Sequence, residues 1–222
     1  MSKTFPTVGL IAAGPTARMY TSPASSLGIE LVYLDSQEQV QGDAQKCDVV
    51  SIVDQSTSLN VAKKLEADGR TVRPSFSTLS VAREKSYSKI SEGFEICVMV
   101  ARSPHGQAST WAPTQTIQED GICTRTVTPA TTVSSEVTEK AAALALTIAE
   151  RVGLVGVMAV EMFVKGDHLF INELAMRPHN SGHWTIEGSV TSQFEQHLRA
   201  ILDLPLGDPS MTASFAVMGN IL

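Results

Sequence analysis

No apolar run in this 222-residue chain approaches the roughly 20 residues that a membrane span needs. The opening Met1-Ser2-Lys3-Thr4-Phe5-Pro6 is too short and polar for a secretory apolar core, so a cytoplasmic location is expected. A basic excess is missing too: 17 Lys and Arg stand against 23 Asp and Glu, a net charge of -6. The chain therefore lacks the positive footprint of a nucleic-acid binder. No run of like charges marks an interaction tail. Cysteine is scarce: Cys47, Cys97 and Cys123 are an odd number without close spacing. That excludes a disulfide framework and a zinc finger, and leaves three packed thiols in a reducing compartment. No internal repeat or low-complexity stretch is visible.

What is present suffices for a packed core, with 43% hydrophobic and 18% charged residues. At roughly 150 residues per domain, the length fits one large domain or two small ones. Residues 7–12 read as a buried strand, followed by a small-residue turn around Gly14-Pro15. Residues 15–27 read as helical, disrupted at Ser22-Pro23. Strands follow at 29–34, ending in Asp35, and at 48–53. A helix at 59–68 ends at Gly69, and Thr71-Val72 reads as a strand before Pro74. Alternation of this kind argues for a parallel, Rossmann-like α/β layer.

The second half reads as α+β with antiparallel pairing. Residues 95–102 form a β-branched, apolar strand candidate. More strands are expected over 110–127, around Glu119-Asp120-Gly121. Ser134 or Ser135 is a suitable N-cap, and Val137, Ala141, Leu144 and Ile148 fall on one helix face. Gly153 reads as the residue that closes this helix. Strands at 154–164 and 168–174 flank Gly166-Asp167, and a helix at 191–203 stops before Pro205.

Two places could carry chemistry. The turn at Ala12-Ala13-Gly14-Pro15 has one glycine where a pyrophosphate loop needs several, so a dinucleotide site is disfavoured despite Asp35. The strand pair carrying Glu161 and Asn172-Glu173 is the stronger candidate. A three-residue loop, Gly166 to His168, places the two glutamates directly opposite on one face. A two-residue Gly-Asp turn places Asn172 opposite Glu161 instead. The first register is preferred, because two facing carboxylates need a cation, and oxygen-only ligands suit Mg²⁺. Arg177, His179, Asn180 and His183 follow in one loop, a set suited to a small anion and a phosphate. His105, His168, His197 and Trp111 read as packing or surface residues.

The run from Asn172 to Thr185, with Thr191 to Ala200, resembles the 5-(carboxyamino)imidazole ribonucleotide synthase family, ATP-grasp ligases of purine biosynthesis. The resemblance is specific over residues 95–207 and nearest the actinobacterial branch. Residues 155–163 and 100–107 fit the same family, and residues 8–11, 17–19 and 74–75 match more weakly. It implies a Rossmann-like domain over 1–89 and a partial ATP-grasp domain over 90–222. It also implies that ATP phosphorylates bicarbonate to carboxyphosphate, whose carboxyl group passes to aminoimidazole ribonucleotide. Glu161 and Glu173 match the family's Mg²⁺ ligands, and Asn172-Glu173 its nucleotide-contacting pair. Glu95 matches the ribose glutamate. Lys85 stands where many members carry an ATP-contacting arginine, and Gln118 where some carry histidine. Arg177, His179 and Asn180 match the segment that holds bicarbonate or carboxyphosphate. Members are dimers, which implies a homodimer by analogy.

The departures are large. Members place a whole ATP-grasp subdomain, with a phosphate lysine and a glycine-rich flap, where Lys89-Ile90-Ser91-Glu92-Gly93-Phe94 joins the two halves here. The family's small C-terminal domain has no counterpart before Leu222. The loop at 12–18 lacks the family's glycines, and Asp54-Gln55-Ser56 replaces a glutamate near Val53. Weak or absent turnover is therefore expected, the alternative reading being a non-catalytic binding or interaction module.

Overall fold

The computed structural model describes residues 5–220 except 13, 35–36, 55–56, 58, 84–92 and 120–121. The first layer runs β1 (Thr7–Ile11), α1 (Pro15–Arg18), α2 (Thr21–Ser26), β2 (Glu30–Tyr33), α3 (Gln37–Gly42), β3 (Val49–Ile52), α4 (Leu59–Ala67) and α5 (Phe76–Arg83). Its sheet is parallel in the order β2-β1-β3. β1 and β3 are buried along their whole length, as parallel strands covered on both faces must be.

The second layer contains β4 (Phe94–Arg102), β5 (Ala108–Thr110), β6 (Thr114–Glu119), β7 (Ile122–Thr128), α6 (Ser135–Arg151), β8 (Gly156–Lys165), β9 (His168–Ala175), α7 (Thr185–Gly188), α8 (Gln193–Ile201) and β10 (Ala216–Gly219). The sheet order is β10-β7-β6-β4-β8-β9, with β5 beside β4, and every pairing is antiparallel. The mixed α/β architecture expected from the sequence is present.

Helix α6 covers one face of this sheet, and Ser134 caps it by accepting the Val137 amide. Its buried stripe is Val137, Ala141, Ala145 and Ala149, against Ile96, Val98, Val160 and Met162. Leu144 and Ile148, expected on the same face as Val137 and Ala141, flank the stripe half-buried, and Ala145 and Ala149 take the buried positions. Helix α8 joins the two layers. Phe194, Leu198 and Ile201, spaced along one helix face, pack against Val8, Leu10, Val49 and Val53.

Several expectations need correction. The helix over 15–27 is two short helices. The break lies at Met19-Tyr20, and Pro23 sits in the first turn of α2, where its missing N–H costs nothing. Thr71-Val72 contributes a single bridge, Val50 to Val72, before Pro74. Helix α5 and strand β10 are not among the elements expected from the sequence; β10 is held by its antiparallel ladder to β7, and α5 packs through Leu79. Asp35 and the tip of the Glu119-Asp120-Gly121 turn lie outside the described residues.

Candidate active site

Alternation along β4 puts Glu95, Cys97 and Met99 on the sheet face away from α6. Cross-strand partners share that face. Glu95 pairs with Thr116 of β6 and Phe163 of β8, Cys97 pairs with Glu161, and Glu161 pairs with Glu173 of β9. The strands thus collect three carboxylates from residues far apart in sequence.

The Glu161–Glu173 pairing is as expected, but its cause is different. The turn has two residues, Gly166-Asp167, since Lys165 pairs with His168. Gly166 has φ 60°, which suits a tight hairpin turn. That register continues to Met162–Ile171 and on its own would bring Asn172 opposite Glu161. A β-bulge then adds one residue on β9, so that Glu173 reaches Glu161. Asn172 is the added residue, and the three-residue loop is not formed.

Glu161 is 8% exposed. Burial raises its pKa to about 7, with help from the charges of Glu95 and Glu173 and against the opposing pull of Arg177. Burial also raises Glu95, whose Oε1 accepts a 3.4 Å hydrogen bond from Gln118 Nε2. The structure thus brings Glu95 and Gln118 together.

The loop after β9 carries the cationic side of the site. Arg177 is half-buried, and its Nη1 donates to Pro178 O at 2.8 Å. Burial lowers its pKa, opposed first by Glu173. His179 Nδ1 lies 3.6 Å from Glu161 Oε1 and 2.8 Å from Ser181 Oγ. Ser181 Oγ donates to Cys97 Sγ at 3.0 Å. A hydroxyl that gives its proton to sulfur accepts from the ring, which assigns the His179 proton to Nδ1. Burial, then Arg177 and His183, push the His179 pKa down to about 3, so the imidazole is neutral near pH 7. Asn180 Oδ1 accepts the Ser181 amide at 2.9 Å and shapes the loop itself. Lys85 lies outside the described residues.

A cavity of about 370 Å³ opens between β3, α4, α5 and the end of β9. Asp54, Glu173 and Arg177 form its polar wall, and Leu59, Leu79 and Met176 part of its apolar wall. Asp54 was not singled out as a site residue from the sequence. Its position just beyond a buried parallel strand was the available signal, since ligands of open α/β sheets bind there.

Among the described residues, no group of three or more His, Cys, Asp or Glu side chains is gathered to hold a metal ion. The glutamate pair still fits a hard cation that keeps waters and takes its other ligands from phosphate. Its two oxygen-bearing side chains face each other, and a bound cation would oppose both the burial and the neighbouring carboxylates that raise Glu161. No helix among the described residues is long and apolar enough to cross a membrane.

The chain is 53% identical over 129 residues to N5-carboxyaminoimidazole ribonucleotide synthase of Mycobacterium tuberculosis, covering 58% of this chain and 30% of that one. Over 139 residues it is 48% identical to the Corynebacterium ammoniagenes synthase, covering 60% and 34%. The chain thus spans about a third of the length of these curated relatives. Its fold superposes on the N5-carboxyaminoimidazole ribonucleotide synthetase of Thermotoga maritima with a TM-score of 0.87 at 25% identity, covering 98% of this chain and 81% of that one. An ADP complex of such a synthetase gives 0.88 at 24% identity, covering 100% and 84%. The ATP-grasp domain family matches residues 77–194, more than half of the chain and the stretch that carries the three carboxylates and the Arg177 loop. The chain belongs to the ATP-grasp family.

Proposed function

We propose that this chain is an ATP-dependent carboxylate–amine ligase of the N5-carboxyaminoimidazole ribonucleotide synthase type, acting on ATP, bicarbonate and aminoimidazole ribonucleotide. The observation that carries this reading is the bulge-set pairing of Glu161 with Glu173 beneath the Arg177–His179 loop. Mg²⁺ held by that pair would offset charge on the ATP phosphates. Glu95 and Gln118, already hydrogen-bonded, would receive the nucleotide's ribose side.

The chain's own groups then divide the work by charge. Arg177 is the cation of the loop and would hold the carboxyphosphate formed when bicarbonate takes the γ-phosphoryl group. His179 is neutral, so it would contribute a directed ring nitrogen rather than charge. With its Nδ1 proton given to Ser181, Nε2 is the nitrogen left to accept a hydrogen bond. Attack by the amine of aminoimidazole ribonucleotide on the carbonyl carbon forms the new C–N bond and breaks the C–O bond to phosphorus, and the amine proton leaves with the released phosphate. Only ten residues, 84–93, lie between α5 and β4 in the sequence, where the family places a whole subdomain that would help to exclude water. Slow turnover is the expected consequence.

Isothermal titration with ATP in excess Mg²⁺ tests the reading. Saturable binding is expected in the parent and is lost in the folded Glu161→Ala/Glu173→Ala double variant. Binding retained by the double variant, or absent from a folded parent, overturns it. Bicarbonate-dependent phosphate release then measures turnover, and Arg177→Ala is expected to lower it about 10²-fold or more.

A further inference from the structure

Gln193 is 0% exposed, although it is a polar residue at the first position of α8. Its side-chain amide is spent on one backbone unit. Oε1 accepts the His179 amide at 2.8 Å, and Nε2 donates to His179 O at 2.8 Å. This reciprocal pair copies the exchange between two hydrogen-bonded residues of an antiparallel ladder. His179 is accordingly extended, with φ -126° and ψ 155°. The Gln193 amide N–H also donates to Thr185 Oγ1 at 3.0 Å, and that hydroxyl donates to Gly182 O at 2.7 Å. A Cβ on Gly182 would stand 2.5 Å from Gln193 Oε1, so the loop has closed onto this amide.

The other end of the linkage is equally defined. Ser192 caps α8 by accepting the Glu195 amide at 3.2 Å, which fixes where the helix begins and where Gln193 points. Phe194, Leu198 and Ile201 of the same helix pack into the parallel layer. His197 bonds both layers, accepting the Val157 amide at Nδ1 (3.1 Å) and meeting Ser51 Oγ at Nε2 (2.8 Å).

We infer that Gln193 is a positioning residue: it sets the register of the Arg177–Asn180 segment over the Glu161–Glu173 pair and ties that register to α8 and thus to the parallel layer. It touches no reacting atom and acts through the His179 backbone. The link to ligand binding rests on the proposed Mg-ATP reading; the link to His179 does not.

Two variants separate positioning from simple filling of space. Gln193→Leu keeps the volume and removes both hydrogen bonds. Gln193→Glu keeps an acceptor for the His179 amide and, when ionised, puts a carboxylate oxygen in place of the donor to His179 O. Three quantities are measured: amide hydrogen exchange at His179, the His179 ring signature in long-range ¹H–¹⁵N spectra, and Mg-ATP affinity. In Gln193→Leu, His179 exchange accelerates at least about tenfold, relative to Glu195–Arg199 within α8, and the Nδ1–H tautomer signature is lost. Gln193→Glu restores slow exchange at His179. Mg-ATP affinity falls in the order parent, Gln193→Glu, Gln193→Leu, with about tenfold between the extremes. Unchanged His179 exchange and ring signature in folded Gln193→Leu overturn the inference. If the parent fails to bind Mg-ATP, the functional reading fails, and the exchange and ring data still decide the role of Gln193. If Gln193→Leu does not fold, Gln193→Glu decides at a pH where its carboxylate is ionised: the parent's ring signature and affinity there overturn the inference.

Discussion

His197 and Ser51 are 146 residues apart in sequence and 2.8 Å apart in the fold, His197 Nε2 against Ser51 Oγ, in a fully buried contact. His197 Nδ1 accepts the Val157 amide, so the single proton of the neutral ring sits on Nε2 and is donated to Ser51. A protonated ring would have to give up the Val157 bond. Burial pushes the His197 pKa down from 6.5 to about 3. A depressed histidine contributes stability that is complete above pH 6.5 and is lost as pH falls towards 3. His197→Gln should cost about 1–3 kcal/mol above pH 6.5. Below that pH its stability should fall less steeply than the parent's, by roughly 1.4 kcal/mol per pH unit. Urea titrations across the range check both; parallel pH profiles would count against the protonation account.

Glu161 acts in the opposite sense. Its pKa is raised from 4.5 to about 7, so its favourable contribution is complete below pH 4.5 and lost as pH rises through 7. In metal-free protein above pH 7, Glu161→Gln removes a buried charge beside two like charges. It should stabilise the fold by about 1–3 kcal/mol while abolishing Mg²⁺-dependent nucleotide binding. Denaturant unfolding and titration on one preparation test this pair of opposed effects. A less stable variant would show that Glu161 is already compensated in the protein alone.

Gly156 opens β8 with φ 124°, and a Cβ there would stand 2.9 Å from His197 Cε1 and 3.1 Å from Nδ1. Gly156→Ala combines backbone strain with pressure on the ring that joins the layers. A loss of about 2–4 kcal/mol is expected in urea unfolding. The loss should shrink in the His197→Gln background, since the two positions share one contact.

The three cysteines are free thiols and should differ in reactivity. Cys97 is fully buried and accepts the Ser181 hydroxyl, and burial holds its pKa well above the usual thiol range. The thiolate is the reactive form, so iodoacetamide should label half-buried Cys47 first and Cys97 only on unfolding. Timed labelling read by mass spectrometry checks the order. Equal rates at Cys47 and Cys97 would mean that the face beneath Ser181 opens in the native state.

Much of this was legible along the chain. Buried runs at 7–12 and 48–53 with helical periods between them are local features, and so is Ser134 as a cap. The density of chemical side chains from Glu161 to His183 marked the site, because a packed strand and loop have no other use for so many polar groups. Periodicity alone places Leu144 and Ile148 on the buried face of α6, since it does not show that Ala145 and Ala149 face the sheet instead.

Residue order alone made legible which side chains are available, that the two strands around Gly166-Asp167 pair, and that a facing glutamate pair is chemically sensible. The folded chain decided how that pair arises: a two-residue turn at Gly166-Asp167 and a bulge at Asn172. It also decided that Gln118 belongs with Glu95, that Asp54 joins Glu173 and Arg177 around one cavity, and that His179 is neutral. Burial and Coulomb interactions depend on distance through space, so pKa values and partners are set only when β4, β8, β9 and α8 come together.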